Sequence, residues 1–308
     1  MSANACRPSL DQRHGSGLLT IGLMPAIFVW LWSTGFIGAK YGLPYAEPFT
    51  LLLYRMLATL VILGLVAWWM KSQWPSMLAA SHTAVTGLLV HGFYLGGVFY
   101  AIEDGMPAGI VSLIVGLQPL VTAAVAVLVL REAIAMRQWF GLMLGLVGVS
   151  LVLLEKMAGT DQVTSLPLWT ILWALIALGG ISIGTVYQKR YCQGVELVPG
   201  AFIQYCAAAG LFAIGAFAFE SREVSWDMQL LLAMGWLVLS LSVGAILLLM
   251  QMIRRGAASQ VASLFYLVPP VTAFEAYILF DERLGVLALF GGLISVLGVA
   301  LVVIKKNR

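Results

Sequence analysis

Leu117-Gln118-Pro119-Leu120-Val121-Thr122-Ala123 leads through an apolar run to Arg131-Glu132 and then through a glycine-spaced apolar run to Val152. The same text returns 150 residues later as Leu267-Val268-Pro269-Pro270-Val271-Thr272-Ala273, Asp281-Glu282 and a second glycine-spaced run. Thirteen of the 36 aligned positions are identical without a gap, among them Pro119/Pro269, Thr122/Thr272, Glu132/Glu282, Phe140/Phe290, Gly141/Gly291 and Gly148/Gly298. Unrelated apolar segments share Leu and Val by chance, but not a mid-segment proline, a threonine three residues on and a glutamate at one spacing. The chain therefore reads as an internal duplication.

Of the 308 residues, 61% are apolar and 10% charged, against about 25% charged in a soluble domain. Too little polar surface is available to face water, so most of the chain is expected in lipid. Cys6, Cys192 and Cys206 are scattered, which argues against a disulfide framework or a metal site. The first 17 residues are polar, and the apolar run after them continues to a full span without a small-residue cleavage site, unlike a signal peptide.

Runs of about 20 apolar residues can cross the hydrocarbon core as helices. Ten are expected, near 20–41, 48–70, 83–102, 107–130, 137–155, 167–188, 198–219, 227–251, 257–280 and 285–304. The loops are short, so consecutive helices should be antiparallel. With a cytoplasmic N-terminus, twelve of the 17 basic residues fall on the inner side, four (Lys40, Lys156, Arg222 and Arg283) on the outer side, and Arg55 inside a helix. Lys and Arg collect on the cytoplasmic side, so both termini are placed inside. A repeat of five helices, an odd number, inserts its second copy upside down, the inverted-repeat plan of secondary transporters. The expected organisation is an all-α polytopic membrane protein: a cytoplasmic tail (1–19), a first repeat (20–156) and an inverted second repeat (167–306). Lys40-Tyr41 and Arg190-Tyr191 close the first helix of each half, Pro48 and Pro199 open the second, and Tyr54 and Tyr205 follow at matching depth.

Trp32-Ser33-Thr34-Gly35-Phe36, Tyr54-Arg55 and the two proline-to-glutamate blocks resemble the EamA-type branch of the drug/metabolite transporter superfamily. The resemblance extends from about Leu19 to Lys306. It implies ten helices in two inverted halves, cytoplasmic termini and export of small metabolites or drugs, with amino acids, aromatic ones included, exported by some members. Asp281-Glu282 departs from the more usual Gly-Glu, and Pro269-Pro270 doubles the proline.

Enzyme signatures are mostly missing: there is no H-E-x-x-H and no Gly-rich Lys-Ser/Thr phosphate loop. Nothing calls for a cofactor or a nucleic-acid partner. The two intramembrane charges are Arg55 and Glu275. Such groups normally face protein or water. Both are placed roughly 8–10 Å below the outer surface by the rise per residue, which suits an outer gate or coupling site; the alternative for Arg55 is a side chain that snorkels to the interface. Near the midplane, Trp30 and Trp32 (helix 1), His91 and Tyr94 (helix 3), Gln118 (helix 4) and Tyr266 (helix 9) are the candidate substrate-binding residues. His91 and Tyr94 are three apart and share a face, while Gly92 and Gly96 mark a packing track on the same helix. Pro119 frees the carbonyl four residues back, that of Val115, and Pro119 and Pro269 join Arg55 and Glu275 as candidates for the gate or coupling site; the plainer reading of Pro119 is a kink for packing alone. Gly141/Gly145 and Gly291/Ser295 on helices 5 and 10 suit packing between halves or between subunits of a homo-oligomer. Trp68, Trp69, Trp74, Trp139, Trp169 and Trp226 fall near span ends, where indoles anchor at the interface.

The function implied is an inner-membrane (plasma-membrane) carrier that exports small organic solutes by alternating access, with the substrate and the lipid bilayer as its partners. A polytopic membrane enzyme or sensor is the reading from another class.

Overall fold

Many large apolar side chains face outward from this chain while a set of polar and charged ones is buried with the apolar core, unlike a protein built for water. Leu65 is 62% exposed and Phe217 71%, whereas Ser33, Arg55, His91, Gln118, Gln204 and Glu275 are buried. Leaving such large apolar faces bare is costly in water and costs nothing in hydrocarbon. The computed structural model describes residues 23–106, 111, 114–157, 168–280 and 285–304, and within them the fold is almost entirely helical.

Ten helical segments follow one another: α1 (Met24–Gly42), α2 (Pro48–Trp69), α3 (Met77–Glu103), α4 (Gln118–Leu130), α5 (Met136–Met157), α6 (Leu168–Tyr191), α7 (Leu197–Phe219), α8 (Met228–Arg255), α9 (258–280) and α10 (Val286–Val303). By length and composition, α2, α3, α6, α7, α8 and α10 can each cross a membrane. The N-terminal tail and the segment 158–167 lie outside the described residues.

Local chemistry sets the helix ends. Ser76 caps α3, its hydroxyl accepting from Ala79 N, and Asp227 caps α8 by accepting from Gln229 N. These are the side chains that satisfy the orphan donors of a first turn. The start of α2 is capped from elsewhere in the chain. Glu220, at the end of α7, accepts from Phe49 N, Thr50 N and Thr50 Oγ1 at 2.7 Å each and from the Tyr100 hydroxyl at 2.9 Å. Glu47, just before α2, accepts in return from Ser221 N and Oγ at 2.7 Å. At the other end of these helices, Glu196 accepts from Gln73 N at 3.1 Å. Glu132 joins the loop after α4 to the start of α9 through Ala258 N (2.9 Å) and Ser259 Oγ (3.0 Å).

In lipid, helices are not driven together by the hydrophobic effect; close backbone approach and hydrogen bonds hold them. Where α5 crosses α10, a Cβ on Gly148 would lie 2.5 Å from Gly291 O, and one on Gly298 would lie 2.6 Å from Gly141 O. The small-residue tracks on helices 5 and 10 thus face each other, joining the first five segments to the second five. The other close partners are α2 with α7, α4 with α9, α1 with α8 and α9, α6 with α3 and α4, α2 with α8, and α3 with α7.

Candidate functional site

The third helix of each half widens at one place. In α3 the turn Leu88–Phe93 ends with Tyr94 N bonded to Leu89 O, and in α8 the turn Leu237–Ala245 ends with Ile246 N bonded to Leu241 O. Both are five-residue steps, one longer than the α-helical step. Wide turns of this kind expose backbone and re-aim side chains, and they gather at functional sites. α3 can bring its wide turn against α7 because Gly87 has no side chain: a Cβ there would sit 2.3 Å from Gln204 O.

A chain of polar groups runs between the two wide turns. His91 Nε2 is 3.2 Å from Gln204 Oε1, and its ring lies on Tyr205, with centroids 4.4 Å apart and planes 18° from parallel. The Tyr205 hydroxyl donates to Ser242 O at 2.8 Å. Arg55 Nε donates to Ser242 Oγ at 2.9 Å. His91, Tyr205, Ser242 and Arg55 come from α3, α7, α8 and α2, and each is at most 4% exposed. Arg55 also lies within electrostatic reach of Tyr94, Tyr205 and His91.

An aromatic group adjoins this chain. The Trp32 ring lies 6.3 Å from Tyr94 in a stacked arrangement and 5.1 Å from Phe265 edge-on, with Phe28 5.2 Å away. Stacked and edge-on rings of this kind suit a ligand with an apolar or planar part.

Of the sequence candidates, Trp32, His91, Tyr94 and Arg55 are therefore brought together. Trp30 is exposed, 46% of its surface outside the core, and stands apart from them. Gln118 is fully buried, and among the described residues neither its amide atoms nor the buried Tyr266 hydroxyl has a hydrogen-bond partner; Tyr266 packs over Gly145 of α5. Glu275 is buried against α1: one oxygen accepts from Ser33 Oγ at 2.6 Å, and the other has no partner among the described residues. Arg55 and Glu275 do not meet, because α2 lies against α7 and α8 whereas this part of α9 lies against α1. Equal depth does not make two residues share a helix face.

The prolines interrupt their helices in one common way. Regular α4 begins at Gln118 with Pro119 in its first turn. In α9 a short tight helix, Leu264–Leu267, precedes the α-helical Val268–Phe280, with Pro269 near its start. A proline in a first turn gives up no hydrogen bond, so each interruption is a restart and not a kink in a continuous helix. Gly92 and Gly96 face Leu211 and Phe212 of α7, as a packing track should.

Gln204, Ser242 and Phe265 are unmarked in the sequence, and Ser33 stands there only as part of the Trp32–Phe36 stretch. Tyr205 stands out in the sequence only as the residue matched in depth to Tyr54. Ser242 is a small polar residue in an apolar run, a type common at helix contacts, and nothing in its neighbourhood marks it. Tyr54 and Tyr205, expected at matching depth, have different surroundings: Tyr54 is exposed and meets Trp226 at 5.4 Å, while Tyr205 is fully buried.

A bundle with an apolar exterior and a buried polar centre defines a multi-pass helical membrane protein. The chain belongs to the EamA-like transporter family, whose model matches residues 17–154 and again 168–304. It is 27% identical over 305 residues to the uncharacterized transporter YvbV of Bacillus subtilis (strain 168), covering 92% of each chain. It is 25% identical over 286 residues to a probable amino-acid metabolite efflux pump of Salmonella typhimurium (strain LT2), covering 90% of this chain and 92% of that one. A chain solved under the name "Crystal structure of protein" superposes with a TM-score of 0.73 at 19% identity, covering 91% of this chain and 94% of the other; that likeness shows a shared fold.

Proposed function

We propose that this chain is a secondary carrier, not an enzyme, that exports small organic metabolites, neutral or aromatic amino acids among them, across the inner (plasma) membrane by alternating access. All ten segments cross the membrane, in two inverted repeats (20–156 and 167–306) with both termini in the cytoplasm. The observation that carries this reading is the exchange of helix contacts between halves. α1 rests on α8 as α6 rests on α3; α1 meets α9 as α6 meets α4; α2 meets α8 as α7 meets α3. The pairs α2–α7, α4–α9 and α5–α10 are their own images. The wide turns Leu88–Phe93 and Leu237–Ala245 occupy matching places. Rocking one half against the other about such an axis would open a central site to each side in turn. The named efflux pump of Salmonella typhimurium supports the amino-acid part of the reading.

The substrate binds among Trp32, Tyr94, His91 and Arg55, with Gln118 and Tyr266 offering further buried polar groups. The test is counterflow. Liposomes holding the purified protein are loaded with one unlabelled amino acid or aromatic metabolite from a panel and given the labelled form outside. Accumulation of chemically unchanged label, followed with and without a pH gradient, is the expected result. Folded protein that gives no counterflow for any solute, or that converts the label, would overturn the reading.

A further inference from the structure

Arg55 is 4% exposed and sits within a membrane-spanning helix, where a fixed charge persists only if something compensates it. A guanidinium offers several N–H donors in a planar fork suited to a carboxylate. Here its Nε–H reaches the Ser242 hydroxyl, a neutral acceptor that leaves the charge unbalanced. The groups in electrostatic reach of it are Tyr94, Tyr205 and His91, and among the described residues no carboxylate lies within ion-pair distance. Glu275, the buried carboxylate of α9, is held by Ser33 on α1. Breaking or omitting one partner of a buried ion pair is strongly unfavourable, so this guanidinium is positioned for an anion that none of the described residues supplies.

The surroundings say what kind of anion. Ser242 and Tyr205 hold the arginine from one side, through the chain Arg55 Nε–Ser242 Oγ and Tyr205 hydroxyl–Ser242 O. Tyr94 leads from it to Trp32, Phe265 and Phe28. A small inorganic ion would leave those rings without a role. The geometry points to Arg55 as the carboxylate anchor of the substrate site: the substrates carry a carboxylate, bound by this guanidinium, and an apolar or aromatic part that lies against Trp32 and Tyr94. Ser242 acts as a positioning residue for the arginine. This deepens the carrier reading and rests on its placement of the site.

Binding to the full chain, purified in nanodiscs, separates this inference from the question of transport. Three probes share one ring and differ in charge: L-phenylalanine, phenylacetate and L-phenylalaninamide. The expected result is that both carboxylates bind about tenfold or more tighter than the amide, the scale of a charge-assisted hydrogen bond. Arg55→Gln should erase that preference. Arg55→Lys, which keeps the charge and loses the fork, should retain part of it and serves if the glutamine variant fails to fold. Equal binding of amide and carboxylates, a preference that survives Arg55→Gln in folded protein, or no binding of any of the three would overturn the inference. A carboxylate preference that depends on Arg55, in protein that shows no counterflow, would overturn the carrier reading and leave this one standing.

Discussion

The imidazole of His91 lies flat on the phenol ring of Tyr205, 4.4 Å between centroids, so the wide turn of α3 is keyed to α7 by a stacked pair. Gln204, the residue before Tyr205, holds the same imidazole edge-on through its amide oxygen. Replacing Gln204 by Leu removes an interhelical hydrogen bond, worth about 1 kcal/mol in membrane proteins, and should lower thermal stability modestly. His91→Ala also removes the stacked ring and should change substrate affinity in the counterflow assay, as should Trp32→Ala and Tyr94→Ala. Unchanged affinity in all three variants, in folded and abundant protein, would place the substrate elsewhere.

Glu220 supplies the start of α2 with its cap from 170 residues away in sequence. Its carboxylate accepts two backbone N–H groups and two hydroxyls. Glu220→Ala should therefore cost more than loss of an ordinary helix cap, about 2–3 kcal/mol, read as a lower midpoint in thermal melts of the purified protein. Glu220→Gln keeps acceptor capacity on one atom and should cost about half as much. A melt for Glu220→Ala within a degree of wild type would show that the cap carries little of the fold.

Much of this architecture can be read without coordinates, because a duplication writes each constraint twice. The glycines at 141, 148, 291 and 298 recur at one spacing, and they meet backbone to backbone in the α5–α10 crossing. Pro119 and Pro269 recur as well, and both restart a helix. Helix ends were less legible where polar residues continue a helix beyond the apolar run. α3 begins at Met77, not near residue 83, because Ser76 caps it and Ser81, His82 and Thr83 continue the first turns. α8 runs to Arg255 through Gln251 and Arg254 for the same reason. The wide turns left no trace, since one extra residue in a buried, mostly apolar run breaks no visible hydrophobic period. The site was half legible: Trp32, Arg55, His91 and Tyr94 stand out by type, whereas Ser242 and Gln204 acquire meaning only from the neighbours that the fold gives them.

Arg55 and Glu275 answer to different partners, Ser242 on α8 and Ser33 on α1. In a cycle of Arg55→Gln and Glu275→Gln scored by thermal stability, the two losses should add to within about 0.5 kcal/mol. Ser33→Ala and Glu275→Gln share a 2.6 Å hydrogen bond and should couple by about 1 kcal/mol or more. Strong coupling in the first cycle would mean that the charges meet in the state that dominates in solution, restoring an ionic gate between α2 and α9.

The α5–α10 crossing allows a sharper test, because its cost is steric and needs no electrostatic argument. A side chain on Gly148 would meet both Gly291 O and the amide of Ser295 at 2.5 Å, and one on Gly291 would meet Gly148 O at 2.6 Å. These neighbours are mostly backbone, which cannot rotate away, so the helices themselves must separate. Gly148→Val and Gly291→Val should each cost several kcal/mol, on the order of an overpacked core or more, and greatly reduce the yield of monodisperse protein. Gly179 has no atom within 4 Å of its would-be Cβ, so Gly179→Ala is the matched control and should be neutral or slightly stabilising, as Ala favours helix over Gly. If Gly148→Val purifies and melts like the control, the two halves do not meet through these glycines.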